Sequence, residues 1–406
     1  MSSGLSSAPL RKPDPPLWGL ALLTFSGTLA MHIFVPALPA AAATLGASAS
    51  QMQLTISCYI MGLAVGQLIY GPVSDHFGRR KPLLAGLLLY TLASAAAMAA
   101  PDVWTLVAAR LLAALGGCAG MVLGRVIVRD TTRDTQDAAG RLALMNMMVV
   151  IGPGLAPIIG GLLAGHLGWR LIFLFLTLLG LISIAYTLWQ LPETRPPDAT
   201  AHHTSALREY AALLRSKEYL GFALGGGFAT TSIYAVIAAA PFVFSEQLGR
   251  PSQEVGFSLA LIMAGMVFGN MLARHLLRRI SIRRVLLGAN ALSLLSALCM
   301  LGISLVAGPS VASFVVPAFA FSVAAGLTSP AAATEAISVK PEMAGAASGL
   351  YGCGQMLIGA VCTLFAGVGS NHAVSAASTL MVASLIGQVM LRNALGKVGT
   401  IDRSAS

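Results

Sequence analysis

Two side chains stand out for the chemistry they could do in the places they occupy. His32 lies within the uncharged run 15–74, and Arg110 lies in the apolar run 104–125, which otherwise carries only Arg125. A histidine titrates near neutral pH and can carry a proton. An arginine at membrane depth costs at least about 2.5 kcal/mol, so its default reading is functional. Arg110 falls two turns, roughly 9 Å, inside its helix. Each has a plainer alternative: a hydrogen-bonded core histidine for His32, and snorkelling to the headgroups for Arg110. Tyr59, Asn146, Tyr234 and Gln355 are further polar or amphipathic residues isolated in apolar runs. Such groups suit a mostly apolar cavity that orients a small molecule, or a bridge between helices. Met147, Met148 and Met263 would add deformable contacts.

Other chemistries find no support in the residue pattern. Cys58, Cys118, Cys299, Cys353 and Cys362 all lie in apolar runs without CxxC or Cys/His spacing, as small packing residues do. The adjacent His202 and His203 do not converge on one ion, so no metal and no cofactor is expected. One histidine and one arginine at depth, without a carboxylate, do not make an enzyme. No GxxxxGK[ST] loop is present, so ATP is not a direct energy source.

The elements that must position these residues follow from composition. The chain has 406 residues, of which 56% are hydrophobic and only 10% charged, with a mean hydropathy of +0.79. An ordinary soluble domain carries roughly 25% charged residues, so a soluble enzyme is excluded. The uncharged stretches are 15–74, 82–101, 142–169, 171–192, 219–245, 255–273, 285–334 and 343–391. At about 20 residues per membrane-spanning helix, the three long stretches hold two spans each and the others one. With 104–125 the count is twelve.

The 25 Lys and Arg against 15 Asp and Glu do not form one patch, which argues against a nucleic-acid partner. With the N-terminus inside, 22 of the basic residues fall on the inner side and only Arg170 and Arg250 on the outer. The positive-inside rule then predicts both termini in the cytoplasm. The expected organisation is a cytoplasmic tail at 1–16, a six-helix half at 17–191, a cytoplasmic linker at 192–218, a second half at 219–393 and a tail at 394–406. The first apolar run is read as a retained helix, not a cleaved signal. Residues 206–218 have the spacing of a short amphipathic helix on the inner membrane surface.

An internal repeat supports two halves. At an offset of 203, residues 62–84 lie over 265–287, pairing Gly62 with Gly265, Gly66 with Gly269 and Arg80 with Arg283. Both basic loops fall on one face, as parallel six-helix repeats require.

Between the second and third spans stands Gly71-Pro-Val-Ser-Asp75-His-Phe-Gly78-Arg79-Arg80-Lys81. Gly71 and Gly78 permit close helix approach and a tight turn, and the cations suit an anionic inner leaflet. The spacing resembles the loop 2–3 signature of the major facilitator superfamily. That resemblance implies that Asp75 faces the positive end of a helix in the other half and latches the outward-facing state. In the second copy Arg278 falls where Asp75 would be, so the latch is asymmetric. The segments beginning at Val35, Arg125, Ala156, Gly168, Leu191 and Gly345 follow in the order seen in the bicyclomycin/chloramphenicol-resistance branch of drug:proton antiporters, covering about 17–393. Gly152, Pro153, Gly154, Pro157, Gly160 and Gly161 resemble the family's fifth-helix antiporter motif, although Ala156 replaces a usual glycine. That motif implies a seal between the halves against proton leak. Arg110 matches the family's fourth-helix arginine, with Ala113 and Ala114 in place of the usual Gln and Gly. The family's helix-one aspartate is replaced by His32, and Glu335, near the inner end of the tenth span, is the nearest acid.

The expected protein is thus an all-α integral membrane protein of twelve transmembrane helices in two pseudo-symmetric six-helix halves, the major facilitator fold. It is expected as a monomeric, multi-pass protein of the bacterial inner membrane. Its partners would be membrane lipid, protons and a small-molecule substrate, and its function secondary active efflux of small, largely apolar neutral or zwitterionic drugs in exchange for protons. Without a cavity carboxylate, quaternary cations are disfavoured. The missing helix-one acid keeps a second reading open, a metabolite transporter or facilitator of the same fold, for a nucleoside, sugar or amino-acid derivative, without strict proton coupling.

Overall fold

A backbone in hydrocarbon must satisfy every N–H and C=O internally, and among the described residues this chain does so with helices alone. The structure, a computed structural model, describes residues 15–132, 135–194 and 206–404, and the side chains within them except 135–140, 142–144, 146–151, 206–207 and 396–404. Asn146, Met147, Met148 and the His202–His203 pair therefore lie outside the described side chains.

Among the described residues, eleven helices are long and apolar enough to cross a membrane: Leu17–Leu45, Ala49–Phe77, Arg80–Met98, Val103–Thr131, Arg170–Gln190, Lys217–Gln247, Ser252–Leu276, Ile282–Val306, Val311–Ser338, Pro341–Ala366 and His372–Leu395. The helix Thr135–Leu167, which contains Pro153 and Pro157, lies fifth in order and completes twelve. They are called the first to twelfth spans below, and the side from which the first span starts is the inner face. The last helix continues to Ser404.

Local capping fixes several starts on the outer side. Ser48 and Gln51 form a reciprocal capping box at the second span. Asp102 accepts from the backbone N–H of Trp104 and Thr105, at 2.8 and 2.9 Å, ahead of the fourth span. The hydrogen bonds from Thr105, foremost its backbone N–H, hold the Asp102 carboxyl below its ordinary value.

The 203-residue repeat has a packing cause. A Cβ on Gly62 would lie 2.7 Å from the Leu111 carbonyl oxygen, and one on Gly265 would lie 2.7 Å from that of Phe319. The second span thus seats against the fourth as the eighth seats against the tenth, backbone to backbone, in two six-helix halves. The amphipathic segment is the helix Ala206–Leu214. It buries Leu213 and packs on the eleventh span, where Lys340 Nζ donates to the Ala212 carbonyl at 3.3 Å.

The halves meet through the second and eleventh, fifth and eighth, and first and seventh spans. Toward the outer face this seam is hydrogen-bonded: Ser50 Oγ donates to the Gly367 carbonyl at 2.6 Å, Ser57 and Thr363 share a bond of 2.5 Å, and Gln253 meets His166 at 3.1 Å. Gly256 stacks directly on the Pro157 carbonyl and Gly161 on that of Ser252.

Candidate functional site

The site grows out of two interrupted helices, one in each half. Pro36 has no N–H, so the first span cannot continue regularly past His32. The helix Leu17–His32 stops, a 3-10 turn follows at Val35–Ala37, and the helix resumes as Leu38–Leu45. The seventh span is broken likewise between Lys217–Thr231 and Tyr234–Phe242. The two breaks are related by the repeat offset to within about one turn. Paired discontinuous helices at corresponding places mark the binding region in transporters built from repeats.

Arg110 holds the first break. Its Nη1 donates to the Ala30 carbonyl at 2.8 Å and its Nη2 reaches the Met31 carbonyl at 3.5 Å. Ala30 and Met31 lie in the last turn before the interruption, where carbonyls lack intrahelical partners and a cation suits the negative end of the helix dipole. The guanidinium also lies 3.9 Å from the Tyr59 ring centroid and 5.7 Å from that of Phe34. With 0% exposure it does not snorkel. Tyr59 belongs to this arrangement: it is fully buried and its hydroxyl donates to the Gly27 carbonyl at 3.2 Å.

His32 is the last residue of the interrupted helix and 3% exposed. Its Nδ1 lies 3.2 Å from the Thr28 carbonyl. A carbonyl can only accept, so Nδ1 carries the hydrogen in the neutral ring and Nε2 presents a lone pair. That buried Nε2 has no partner among the described residues. The ring faces Tyr234, across the seam at the second break, with centroids 6.0 Å apart. Tyr234 packs over Gly359, and Gln355 lies on the same eleventh span. Gln355 Nε2 donates to Thr230 Oγ1 at 2.9 Å and meets the Tyr351 hydroxyl at 3.3 Å, while Thr231 Oγ1 donates to the Gln355 carbonyl at 2.9 Å. The structure therefore brings His32 and Tyr234 together, seats Gln355 beside the seventh span, and turns Tyr59 toward Arg110.

Sequence reasoning missed Thr230, Thr231 and Tyr351, together with the cross-seam residues Gln53, Ser57 and Thr363. Gln53 Nε2 donates to the Ala238 carbonyl at 3.3 Å. Hydroxyl residues are common in apolar helices, so only the repeat offset, carried from the first break to the seventh span, could have singled out Thr230 and Thr231.

On the inner side, Asp75 accepts from Arg79 at 2.6 Å and keeps 65% of its side chain exposed, while Arg79 Nε donates to Asp130 at 2.8 Å. Burial opposes the charge on Arg79, but these two carboxylates more than offset it and raise its pKa. Glu193 accepts from the backbone N–H groups of Arg79 at 2.8 Å and Arg80 at 3.2 Å, at the start of the third span. Arg80 Nη2 donates to the Leu188 carbonyl at 2.7 Å. Gly78 has φ +83, where a side chain would be strained and would strike Glu193. Gly71, expected to allow close approach, has open space where a Cβ would stand. In the fifth span a Cβ on Gly152 would meet Thr28 Oγ1 at 2.5 Å, and Gly160 lies directly against the Ile33 carbonyl at the first break. The half-buried Pro153 and buried Pro157 lie between them.

Twelve spans, a duplicated half and paired broken helices around a buried polar site define a multi-pass membrane transporter. The profile of the Major Facilitator Superfamily matches residues 20–363, and the chain belongs to that family. It is similar to multidrug resistance protein D of Escherichia coli (strain K12), 32% identical over 337 residues that cover 82% of this chain and 83% of that protein. It is also similar to a chloramphenicol resistance protein of Pseudomonas aeruginosa, 30% identical over 349 residues, covering 83% and 80%. Among solved structures it resembles a bacterial homolog of the human lysosomal transporter Spinster in an inward-facing and occupied conformation. The TM-score is 0.73 at 16% identity, with 95% of this chain and 96% of that one covered.

Proposed function

We propose that this transporter exports small, largely apolar neutral or zwitterionic drugs in exchange for protons. The observation that carries the reading is His32: a buried imidazole at a helix break, facing Tyr234 of the other half, with an Nε2 lone pair that has no partner among the described residues. A proton taken up there adds a donor and a charge where the two halves meet, so it can bias their rocking. The resemblance to named drug-resistance proteins supports export as the direction. Arg110 keeps the break open by capping its carbonyls and so presents His32. The substrate class follows from charge: among the described residues, no carboxylate lies beside His32, Tyr234 or Gln355, so a cationic drug would lose hydration without gaining a counter-ion.

In this proposal the halves 17–191 and 219–393 move about the linker 192–218, and the fifth-span glycines seal the seam. Asp75 latches the inner side in the alternate state. In this reading the chain functions as a monomer in the bacterial inner membrane, and the excess of basic residues on one side supports cytoplasmic termini.

The test uses inside-out vesicles containing the purified chain, with an imposed proton gradient, a panel of neutral antibiotics and cationic dyes, and His32→Ala alongside. Substrate-dependent proton release, larger for the neutral compounds and lost in the variant, is the expected result. Uptake that runs without the gradient, or an unaffected variant, would make His32 structural and favour a facilitator.

A further inference from the structure

The second basic loop is not a copy of the first. In the first, Arg79 is paired with Asp75 and Asp130, and Arg80 Nη2 donates to the Leu188 carbonyl. In the second, Arg274, Arg278, Arg279, Arg283 and Arg284 fall within 274–284 without an acidic residue. All five are exposed, and none has an ion pair or side-chain hydrogen bond among the described residues. Five guanidinium groups so close repel one another, and at the inner end of a span the anions on offer belong to lipids.

The shape of the place fits such a ligand. Met271, Arg274, His275 and Arg278 line an open depression of about 260 Å³. Their spacing of three, four and seven residues puts them on one face of the helix. Further along the eighth span toward the outer face, Phe268, Leu261 and Phe257 are 56%, 53% and 56% exposed at the same helical spacing, and Met271 is 66% exposed. A cationic depression thus opens onto an apolar strip that follows the membrane normal, which is the pattern of a phosphate headgroup with its acyl chain. The place also borders the seam: Arg274 is five helical turns from Gly256, on the same face of the span. Gly256 is buried against the fifth span and Arg274 is exposed.

We infer that the inner end of the eighth span is a binding site for an anionic phospholipid, its phosphate held by Arg274 and Arg278 and its acyl chain lying along Met271 and Phe268. The site belongs to the second half alone, because only that loop lacks the carboxylates that neutralise its arginines.

The experiment reconstitutes the full chain in vesicles of phosphatidylethanolamine, with or without about one quarter phosphatidylglycerol, and counts retained lipids by native mass spectrometry. The parent chain is expected to retain phosphatidylglycerol preferentially. Arg274→Gln with Arg278→Gln should lower that preference about thirtyfold, from about fivefold per arginine at the surface, and Arg274→Lys with Arg278→Lys should keep most of it. Equal thermal midpoints in vesicles of phosphatidylethanolamine alone establish that the variants are folded; if the double glutamine variant is not, Arg274→Gln and Arg278→Gln singly, each expected to lose about fivefold, decide. Undiminished phosphatidylglycerol retention by a folded glutamine variant overturns the inference. So does inorganic phosphate that stabilises the chain in phosphatidylethanolamine vesicles as well as phosphatidylglycerol does, since the site would then take a soluble anion.

Discussion

Replacing Arg110 by methionine separates stability from transport, because the terms that hold this side chain nearly cancel in the fold but not at the helix break. The 2.8 Å bond to the Ala30 carbonyl involves a charged donor and is worth about 1.5–3 kcal/mol. The guanidinium over Tyr59 adds about 2 kcal/mol in a desolvated setting, and the 3.5 Å contact to Met31 little. Methionine loses roughly 4 kcal/mol of attraction, but it also removes a buried charge whose desolvation costs several. Net stability should therefore change by no more than about 2 kcal/mol. The Ala30 and Met31 carbonyls nevertheless lose their partner at the interruption, so about 2 kcal/mol of bias toward the broken geometry disappears. At 1.36 kcal/mol per decade, turnover should fall about thirtyfold. Arg110→Lys keeps the charge but can reach only one carbonyl, so it should fall between. The assay is gradient-driven transport in proteoliposomes beside a thermal midpoint in the same lipid. Wild-type turnover in a well-folded Arg110→Met would refute the reasoning.

Three further expectations come from the seam and the caps. Gly256→Leu, which puts a side chain into the Pro157 carbonyl, should insert normally yet transport at least about fivefold more slowly, because overpacking costs roughly 1–3 kcal/mol at this contact; unchanged transport would mean that the seam yields. Ser57→Cys with Thr363→Cys, in a background cleared of the five native cysteines, should cross-link on oxidation, stop transport and recover on reduction, since the parent oxygens are 2.5 Å apart. Failure to cross-link would argue against this outer closure. Asp102→Ala should lower the unfolding temperature at neutral pH. Hydrogen bonds lower the folded pKa of Asp102 below its ordinary 3.8, so its stabilisation is present above that value and lost as pH falls through the lowered one. The two unfolding temperatures should converge in acid, and a constant gap would show that the carboxylate charge is irrelevant.

Much of this protein is legible in its sequence because the membrane imposes a one-dimensional rule. A run without charge that is long enough to cross has to become a helix, and each charge has to be left at an end or given a reason to stay. Spans, the duplicated half and the isolation of His32 and Arg110 follow from that rule. The resemblance of loop 2–3 and the later motifs named the family, and the match over 20–363 bears it out. What an isolated residue touches does not follow. Tyr59, Tyr234 and Gln355 look alike as single polar residues in apolar runs, yet Tyr59 lies under Arg110, Tyr234 faces His32, and Gln355 is bonded to Thr230. Those partners come from helices far apart in the chain, and only packing decides which faces meet. The break in the first span has a local cause in Pro36 that the sequence reading did not use, and the break before Tyr234 has none so local. That Arg110 caps carbonyls instead of reaching for the headgroups was also beyond the sequence, since the orphaned acceptors belong to residues 79 and 80 positions away. Periodicity and charge determine which elements form and where they cross. The chemistry of the site depends on which backbone groups those elements leave unpaired against one another, and that is a property of the assembled bundle.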